Sequence, residues 1–156
     1  MKTSDAVTVR VARADDEDFV VGLARRFGDT RAAWRSYDEV VRGTERALHA
    51  AFAQRGPAAE IFIAGAADGE PLGFAYVVTH HDFFTGEAHG HISEIASVVD
   101  ASGAGSALIS ACETWARECG YRYLSLNVND TNPTAHAFYE RRDYEPEYRH
   151  LAKLLR

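Results

Sequence analysis

The sequence predicts a mixed α/β (α+β) fold, with a mostly antiparallel sheet and helices on both of its faces. Consecutive strand patterns joined by short turns fill the middle of the chain, as in an antiparallel meander. Apolar residues at helical spacing come before and after that meander. One of the later helices separates two strands, which makes a β-α-β crossover with parallel strands. The predicted order is β–α–α–β–β–β–α–β–α–β.

The N-terminal third predicts one strand and two helices. Residues 7–13 alternate apolar and polar side chains and predict the strand. Apolar positions at helical spacing predict helices over 16–28 and about 37–54. The acidic run 15–18 suits the start of the first helix, because carboxylates favour the positive end of the helix dipole.

The middle of the chain predicts three strands in succession, at 59–67, 72–84 and 91–99. Asp68 and Gly69 form a strong two-residue hairpin signal between the first two. Residues 85–90 predict the second turn. These three strands therefore form the antiparallel meander.

The C-terminal third predicts the crossover and a last helix and strand. A helix ends near Gly120, and residues 121–129 predict a strand that runs parallel to 91–99. A short helix over 132–143 begins at Asn132 as N-cap, with a proline in its first turn. Residues 145–155 alternate enough to predict a final strand.

Composition and charge limit the possible functions. The 156 residues suit one domain, 1–156, and the 46% hydrophobic and 26% charged residues are ordinary for a globular protein. The net charge of −6 argues against nucleic acid as a partner. No apolar run reaches the ~18 residues that span a membrane, and we find no secretory pattern, so we expect a cytoplasmic protein. Cys112 and Cys119 lie two helical turns apart, roughly 10 Å, too far for a disulfide.

The segment DASGAGSAL, residues 100–108, follows a strand pattern and opens a helix. Gly103 and Gly105 let a ligand approach the backbone, and the first N–H groups of the helix can bind an anion. A dinucleotide fingerprint fails because Leu108 stands where its third small residue should be, and no Walker lysine follows. The residues alone leave two interpretations open, a phosphate-binding loop and a plain tight turn.

Three features over 91–147 carry a resemblance to a known family. They are the GxG-type loop that opens a helix, the strand that ends in NVN before Asn132, and the segment AFYERRDYEP at 137–146. Together they resemble the GNAT superfamily of acetyl-CoA-dependent N-acetyltransferases. Two positions depart from its pattern: Asp100 stands where the family's loop usually has Gln or Arg, and Asp143 replaces the glycine that ends the last helix. The loop is also shorter than usual by roughly three residues.

The resemblance implies a GNAT-like fold, with the crossover at the cofactor loop, and acetyl-CoA as cosubstrate without a metal. It implies that the strand before the loop pairs with the pantetheine arm and presents an N–H to the thioester oxygen, through Ile95, Ala96 and Ser97. The loop residues would hold the pyrophosphate, namely Gly103, Ala104, Gly105, Ser106 and Ala107. Asn132 and Tyr139 lie two helical turns apart on one face and would contact the same extended ligand.

Tyr139 matches the tyrosine that faces the sulfur and can donate a proton to the leaving thiolate. Glu94 is the candidate base that accepts the proton of the amine. Each residue also has a purely structural interpretation: Asn132 as an N-cap, Tyr139 as a core aromatic, and Glu94 as a solvated or salt-bridged glutamate. His91 and His81 are the next candidates for the base.

In the family the acceptor lies between the first two helices and the hairpin of the meander. This implicates six residues here: Phe27, Trp34, Tyr37, Phe83, Phe84 and His91. Such rings could stack on a cation or belong to the core. His80, His81, His89 and His91 flank one hairpin, but no cysteine or acidic cluster with metal spacing accompanies them, so we predict no metal.

The favoured function is an N-acetyltransferase that joins the acetyl group to a primary amine by direct attack in a ternary complex. Its acceptor stays open between small molecules and peptide or protein amines. The alternatives are a non-catalytic module that binds CoA or another ligand on the same fold, and an unrelated α/β domain with a structural glycine turn. Family habit also makes a homodimer a reasonable expectation.

Overall fold

The computed structural model describes residues 6–98, 101 and 103–155. Its core is a five-stranded sheet in the order β1-β2-β3-β4-β5. The strands are β1 (Thr8–Val11), β2 (Ala59–Gly65), β3 (Pro71–His81), β4 (Ala88–Ser97) and β5 (Leu124–Leu126). The first four pair antiparallel, and β5 runs parallel to β4. The predicted mixed sheet with one crossover is therefore confirmed.

Helices cover both faces of the sheet, as the sequence predicts. They are α1 (Glu17–Gly22), α2 (Arg25–Asp29), α3 (Tyr37–Ala53), α4 (Ala104–Glu118) and α5 (Pro133–Glu140), with a 3-10 turn over Ala14–Asp16 before α1. Ser36 begins α3, where its hydroxyl accepts a hydrogen bond from the backbone N–H of Glu39 at 3.1 Å. Among the described residues, no helix combines the length and apolar character that crossing a bilayer requires.

Two apolar clusters hold the helices to the sheet. On one face, α1 and α3 bury side chains such as Val20 and Leu48 against Ile61, Ile63 and Phe74. On the other face α4 packs through Leu108, Ile109 and Cys112 onto Ala75 and Val77. Each fully buried side chain of this size contributes about 1.5–3 kcal/mol to stability, so these clusters fix the positions of the loops between sheet and helices.

The first predicted helix is interrupted, and this corrects the expectation of one helix over 16–28. Short-range hydrogen bonds link Leu23 N–H to the carbonyl of Val20 at 3.1 Å and Ala24 N–H to that of Val21 at 3.0 Å. This tighter turn keeps Leu23 and Ala24 buried while the chain changes direction. Asp16 begins the segment, and its carboxylate accepts two hydrogen bonds from Arg10 at 2.7 and 2.8 Å.

The final strand predicted over 145–155 is absent from the described chain, where these residues are exposed and pair with no strand. Alternation of side chains supplies one apolar face, but a strand also needs a neighbouring sheet edge for its backbone groups. The chain leaves α5 without meeting such an edge.

The hairpin between β3 and β4 also differs from the predicted one, since its turn lies at 82–87 and β4 begins at Ala88 rather than at 91.

Candidate active site

The site begins at a gap between two parallel strands. β4 pairs with β5 only from Gly90 to Ile92, whereas it continues beside β3 as far as Ser97. Ser93 is an extra residue in β4 that forms a bulge opposite Tyr76 and Val77, and bulges increase the local twist of a strand. Beyond the bulge, one backbone edge of β4 has no strand beside it in the described part of the chain. An extended ligand can form hydrogen bonds along that edge.

The glycine-containing loop lies at the end of this edge. Gly103 is the N-cap of α4 in the left-handed conformation, with φ of 85°, which favours glycine. Ala104 N–H bonds the carbonyl of Ala101 at 3.2 Å, but no described residue accepts from the amides of Gly105 and Ser106. Those two donors and the helix dipole favour an anion. Asp100, the departure from the family pattern, lies outside the described residues.

Gly105 also has a packing role that the sequence did not reveal. A Cβ at this position would lie 3.3 Å from Cζ of Phe138, closer than most such contacts. The second glycine therefore lets α5 approach the start of α4. The predicted cofactor residues accordingly share one end of the sheet: Ile95, Ala96 and Ser97 in β4, and Gly103, Ala104, Gly105, Ser106 and Ala107 at and after the N-cap of α4.

Tyr139 on α5 packs into the cluster on the α4 face. Its ring lies 5.2 Å from that of Phe138 and 5.6 Å from that of Tyr144, measured between centroids. Burial raises the pKa of the Tyr139 phenol to about 12. The hydroxyl is therefore protonated at neutral pH, as a proton donor must be.

Glu94 lies on the opposite face of the sheet, directly across from Tyr76 in β3. Its Oε2 atom is shielded from solvent and has no hydrogen-bond partner among the described residues. Burial raises the pKa of this carboxyl above its ordinary value, with a hydrogen bond from Ser93 acting weakly in the other direction. A carboxylate in this environment is a stronger base than an exposed one.

His91 lies at the point where β4 and β5 part. Its Nδ1 is 2.8 Å from the hydroxyl oxygen of Ser125, and that hydroxyl donates to the carbonyl of Gly90 at 3.4 Å. Because the hydroxyl has only one proton, Nδ1 must be the donor, which leaves the lone pair on Nε2. Burial and the neighbouring His80 and His89 lower the pKa of His91 to about 4, so the imidazole is neutral at pH 7.

Asn132 has the capping role that was one of its two predicted interpretations. Its Oδ1 accepts a hydrogen bond from the backbone N–H of Ala135 at 3.2 Å, at the start of α5. The preceding residue, Thr131, donates from its hydroxyl to the carbonyl of Thr30 at 2.6 Å. The loop between α2 and α3 is thereby held against the loop that follows β5, beside the gap.

The six predicted acceptor residues do not come together. Phe27 packs against the core, Tyr37 covers Gly28, and Trp34 is 48% exposed beside Arg35. Phe83 and Phe84 are 93% and 83% exposed at the far hairpin. Six residues of β4 separate that hairpin from Glu94, or about 20 Å. Of the whole set only His91 lies at the gap, while the loop bearing Trp34 lies near it.

Three histidines of this hairpin pack ring against ring with one another and with Tyr123. The rings of His80 and His91 lie 4.4 Å apart and nearly parallel, and His89 stacks on Tyr123 at 4.3 Å. The described residues contain no group of three or more His, Cys, Asp or Glu arranged to hold a metal ion. Tyr123 in turn donates to Asp82 at 2.6 Å, and this hydrogen bond holds the pKa of Asp82 down to about 2.

Sequence reasoning missed two polar residues of the site, Ser125 and Arg142. Ser125 orients His91 through the parallel register, which could have been found only by aligning β4 with β5. Arg142 follows α5, yet its guanidinium donates to the hydroxyl of Ser106 at the start of α4. The two partners are 36 positions apart in the sequence, so no local pattern could reveal their contact.

The chain is similar to known acetyltransferases. The sequence model of the acetyltransferase (GNAT) family matches residues 11–144. Among curated proteins, the aminoglycoside N(6′)-acetyltransferase type 1 of Stenotrophomonas maltophilia is 34% identical over 82 residues. That match covers 49% of this chain and 54% of the relative, so the chain matches about half of the relative's length.

Solved structures share the fold over nearly the whole chain. A proposed acetyl transferase from Pyrococcus furiosus has a TM-score of 0.78 and 24% identity, covering 96% of this chain and all of that one. Aminoglycoside N-acetyltransferase AAC(6′)-Iy in complex with CoA has a TM-score of 0.69 and 19% identity, covering 100% of this chain and 99% of that one. At these identities the likeness shows a common fold.

Proposed function

The chain belongs to the acetyltransferase (GNAT) family, and from that premise we propose that it transfers the acetyl group of acetyl-CoA to a primary amine by direct attack in a ternary complex. The observation that carries this proposal is the gap between β4 and β5 beside the glycine loop of α4. An unpaired strand edge and a helix N-terminus at its end match the two parts of CoA, a pantetheine arm with amide groups and a pyrophosphate.

The proposed cofactor contacts follow from this geometry. The backbone of Ile95 to Ser97 would pair with the pantetheine amides, and an N–H of this edge would face the carbonyl oxygen as it gains charge. The amides of Gly105 and Ser106 would bind the pyrophosphate, since they lie in the first turn of α4, where backbone N–H groups point along the helix axis towards the loop. Asn132 retains its amide nitrogen for the ligand, because only Oδ1 is used in capping α5.

Glu94 and Tyr139 would act on the two sides of the reacting thioester. As the amine nitrogen bonds to the acetyl carbon, Glu94 receives the proton that the nitrogen loses, directly or through water. As the bond between that carbon and sulfur breaks, Tyr139 supplies a proton to the thiolate. The two residues belong to opposite faces of the sheet, so they would approach the thioester from different sides.

We further propose a cationic amine as acceptor, with an aminoglycoside as the first compound to try. The curated relative is named for that activity, and the net charge of −6 favours cationic over nucleic acid ligands. The α2–α3 loop, which is tied to the β5–α5 loop through Thr131, would form the acceptor wall with His91. Peptide amines are the competing class in the same assay.

The test combines thermal stability with turnover. A ligand present at about 100 times its dissociation constant adds about 2.7 kcal/mol, so millimolar acetyl-CoA and desulfo-CoA should raise Tm by several degrees and ATP should not match them. Thiol release would then be measured with aminoglycosides, polyamines and peptides. No shift contradicts the proposal, and a shift without turnover on any amine supports the non-catalytic binding module instead.

We also propose that the protein is a cytoplasmic homodimer with a single catalytic domain in each chain. Acetyl-CoA is a metabolite of the cell interior, and the unpaired Cys112 and Cys119 suit a reducing compartment. The apolar side chains of 145–155 are mostly exposed: Tyr148 at 73%, Leu151 at 85%, Leu154 at 68% and Leu155 at 84%. A second copy of the chain would cover this surface.

A further inference from the structure

Arg142 is anchored at the start of α4 by contacts with two helices. Its Nη1 donates to the carbonyl of Phe138 at 2.9 Å, and its Nη2 donates to the hydroxyl of Ser106. The guanidinium carbon also lies 3.6 Å from the centroid of the Phe138 ring, in a cation–π contact. These contacts restrict a normally flexible side chain to one position, so its charge is fixed beside the loop.

No carboxylate among the described residues neutralises the charge of Arg142. Among the described residues it forms no salt bridge, and both of its hydrogen bonds go to uncharged oxygens. A guanidinium has five N–H donors, so three are left after these two bonds. Arg142 is half-buried against Phe138, so its positive charge would attract an anion more strongly than a fully solvated charge would.

This cation lies beside the proposed pyrophosphate site, because Ser106 is one of the loop residues proposed to hold the pyrophosphate. Phe138 connects the arginine to the loop. Its ring contacts the guanidinium of Arg142 and also lies next to the Gly105 position. The loop and the first turns of α4 contribute no cation of their own, because residues 98–116 contain no Lys or Arg and include Asp100. The first basic residue of α4 is Arg117, in its last turn. A phosphate held only by backbone amides there would lack a charged partner.

We propose that Arg142 binds a phosphate group at the nucleotide end of CoA, and so supplies from the end of α5 the positive charge that the loop lacks. This inference rests on the proposed use of acetyl-CoA. Arginine suits the role because its planar donors match two phosphate oxygens at once. The shared chemistry is a phosphate, which in CoA comes from either the pyrophosphate or the 3′-phosphate of the ribose.

The test compares Arg142→Gln with Arg141→Gln, its neighbour, which is exposed and forms no described side-chain contact. Dissociation constants would be measured for CoA, for 3′-dephospho-CoA and for pantetheine, which has no phosphate. Loss of a charge-assisted hydrogen bond should weaken CoA binding by about 10- to 100-fold in the Arg142 variant. The Arg141 variant should stay within about twofold of the wild type, and pantetheine should bind all three proteins equally.

The ligand set identifies the phosphate. If the variant loses affinity for CoA and dephospho-CoA alike, the pyrophosphate is the partner, and if only CoA is affected, it is the 3′-phosphate. Raising the salt concentration should weaken CoA binding to the wild type more than to Arg142→Gln. Salt screens the attraction between Arg142 and the phosphate, and the variant lacks that attraction. Arg142→Lys, which retains the charge, should recover part of the affinity.

Three results would overturn the inference. One is unchanged CoA affinity in Arg142→Gln, and another is an equal loss of pantetheine affinity, which would assign Arg142 a structural role in holding α5. Equal melting temperatures of the two Gln variants would show that both are folded. The third is a wild-type protein that binds no CoA, which removes the proposed function as well, whereas the first two leave that function standing.

Discussion

Glu94 is a carboxyl group held where its charge is disfavoured. One of its oxygens is buried without a partner among the described residues, and burial raises its pKa above the ordinary value of 4.5. A base must be ionised to act, so its contribution to kcat/KM should rise as the pH passes upward through this raised pKa and should be lost below it. This pH dependence is the signature of Glu94 in the proposed reaction.

We expect Glu94→Gln to lower kcat/KM by about 10²-fold and to abolish the lower pH-dependent step, while acetyl-CoA still raises the melting temperature. The higher step, which belongs to ionisation of the amine, should stay. Glu118→Gln, at an exposed position of α4, is the matched control and should behave as the wild type. An unchanged pH profile in Glu94→Gln would move the role of base to another group, with His91 the first to examine.

At this same scale the sequence could place Glu94, Tyr139 and the two glycines at one end of the sheet, because their positions follow from the order of the elements. The sequence could not predict that an oxygen of Glu94 is buried, which ring nitrogen of His91 carries the proton, or where the guanidinium of Arg142 lies. Those properties depend on contacts across strands and helices, such as His91 with Ser125, that no local pattern encodes.

At the scale of elements, the end of α5 shows a residue in a conformation suited to glycine. Asp143 has φ of 62°, and the chain closes the helix around it with a hydrogen bond from Tyr144 N–H to the carbonyl of Tyr139 at 3.2 Å. This is the position where the resemblance implies a glycine. Asp tolerates the left-handed region better than most residues but still pays a steric cost there.

We therefore expect Asp143→Gly to raise the free energy of unfolding by about 0.5–1 kcal/mol, and Asp143→Ala to leave it unchanged or lower it. Midpoints of urea denaturation at constant slope would measure both. A lower stability for the glycine variant would contradict this account. It would indicate that the Asp143 side chain makes a stabilising contact that outweighs the strain.

The elements also show where periodicity stops being informative. The five strands of the sheet and the long helices followed from apolar spacing, because each has a buried face. The same spacing wrongly predicted a strand over 145–155, where no sheet edge is available. The break after α1 did not follow from apolar spacing, since Leu23 and Ala24 keep the helical apolar pattern while their hydrogen bonds tighten. The bulge at Ser93 was equally invisible, because it exists only in the register of β4 against Tyr76 and Val77.

For the molecule as a whole, the sheet divides the proposed chemistry into two sides. Glu94 faces the side of α1 and α3, and Tyr139 belongs to the side of α4 and α5. In the proposed reaction, the thioester would lie in the gap between β4 and β5, between these two sides. The proposed acyl transfer depends on this gap, because the parallel pair of β4 and β5 ends after three residues and leaves the edge of β4 open for an extended ligand.

The exposed apolar side chains of the tail, residues 145–155, are the basis of the last prediction. We expect the wild type to sediment as a dimer and Leu151→Glu combined with Leu154→Glu to shift it to monomer, because charges on both sides of the contact repel and resist burial. Phe83→Ser combined with Phe84→Ser is the matched control, since those rings are also largely exposed but lie in the hairpin. Sedimentation velocity at several concentrations measures the equilibrium. A wild type that stays monomeric throughout, or a hairpin variant that dissociates as fully as the tail variant, would contradict the assignment of the tail as the dimer contact.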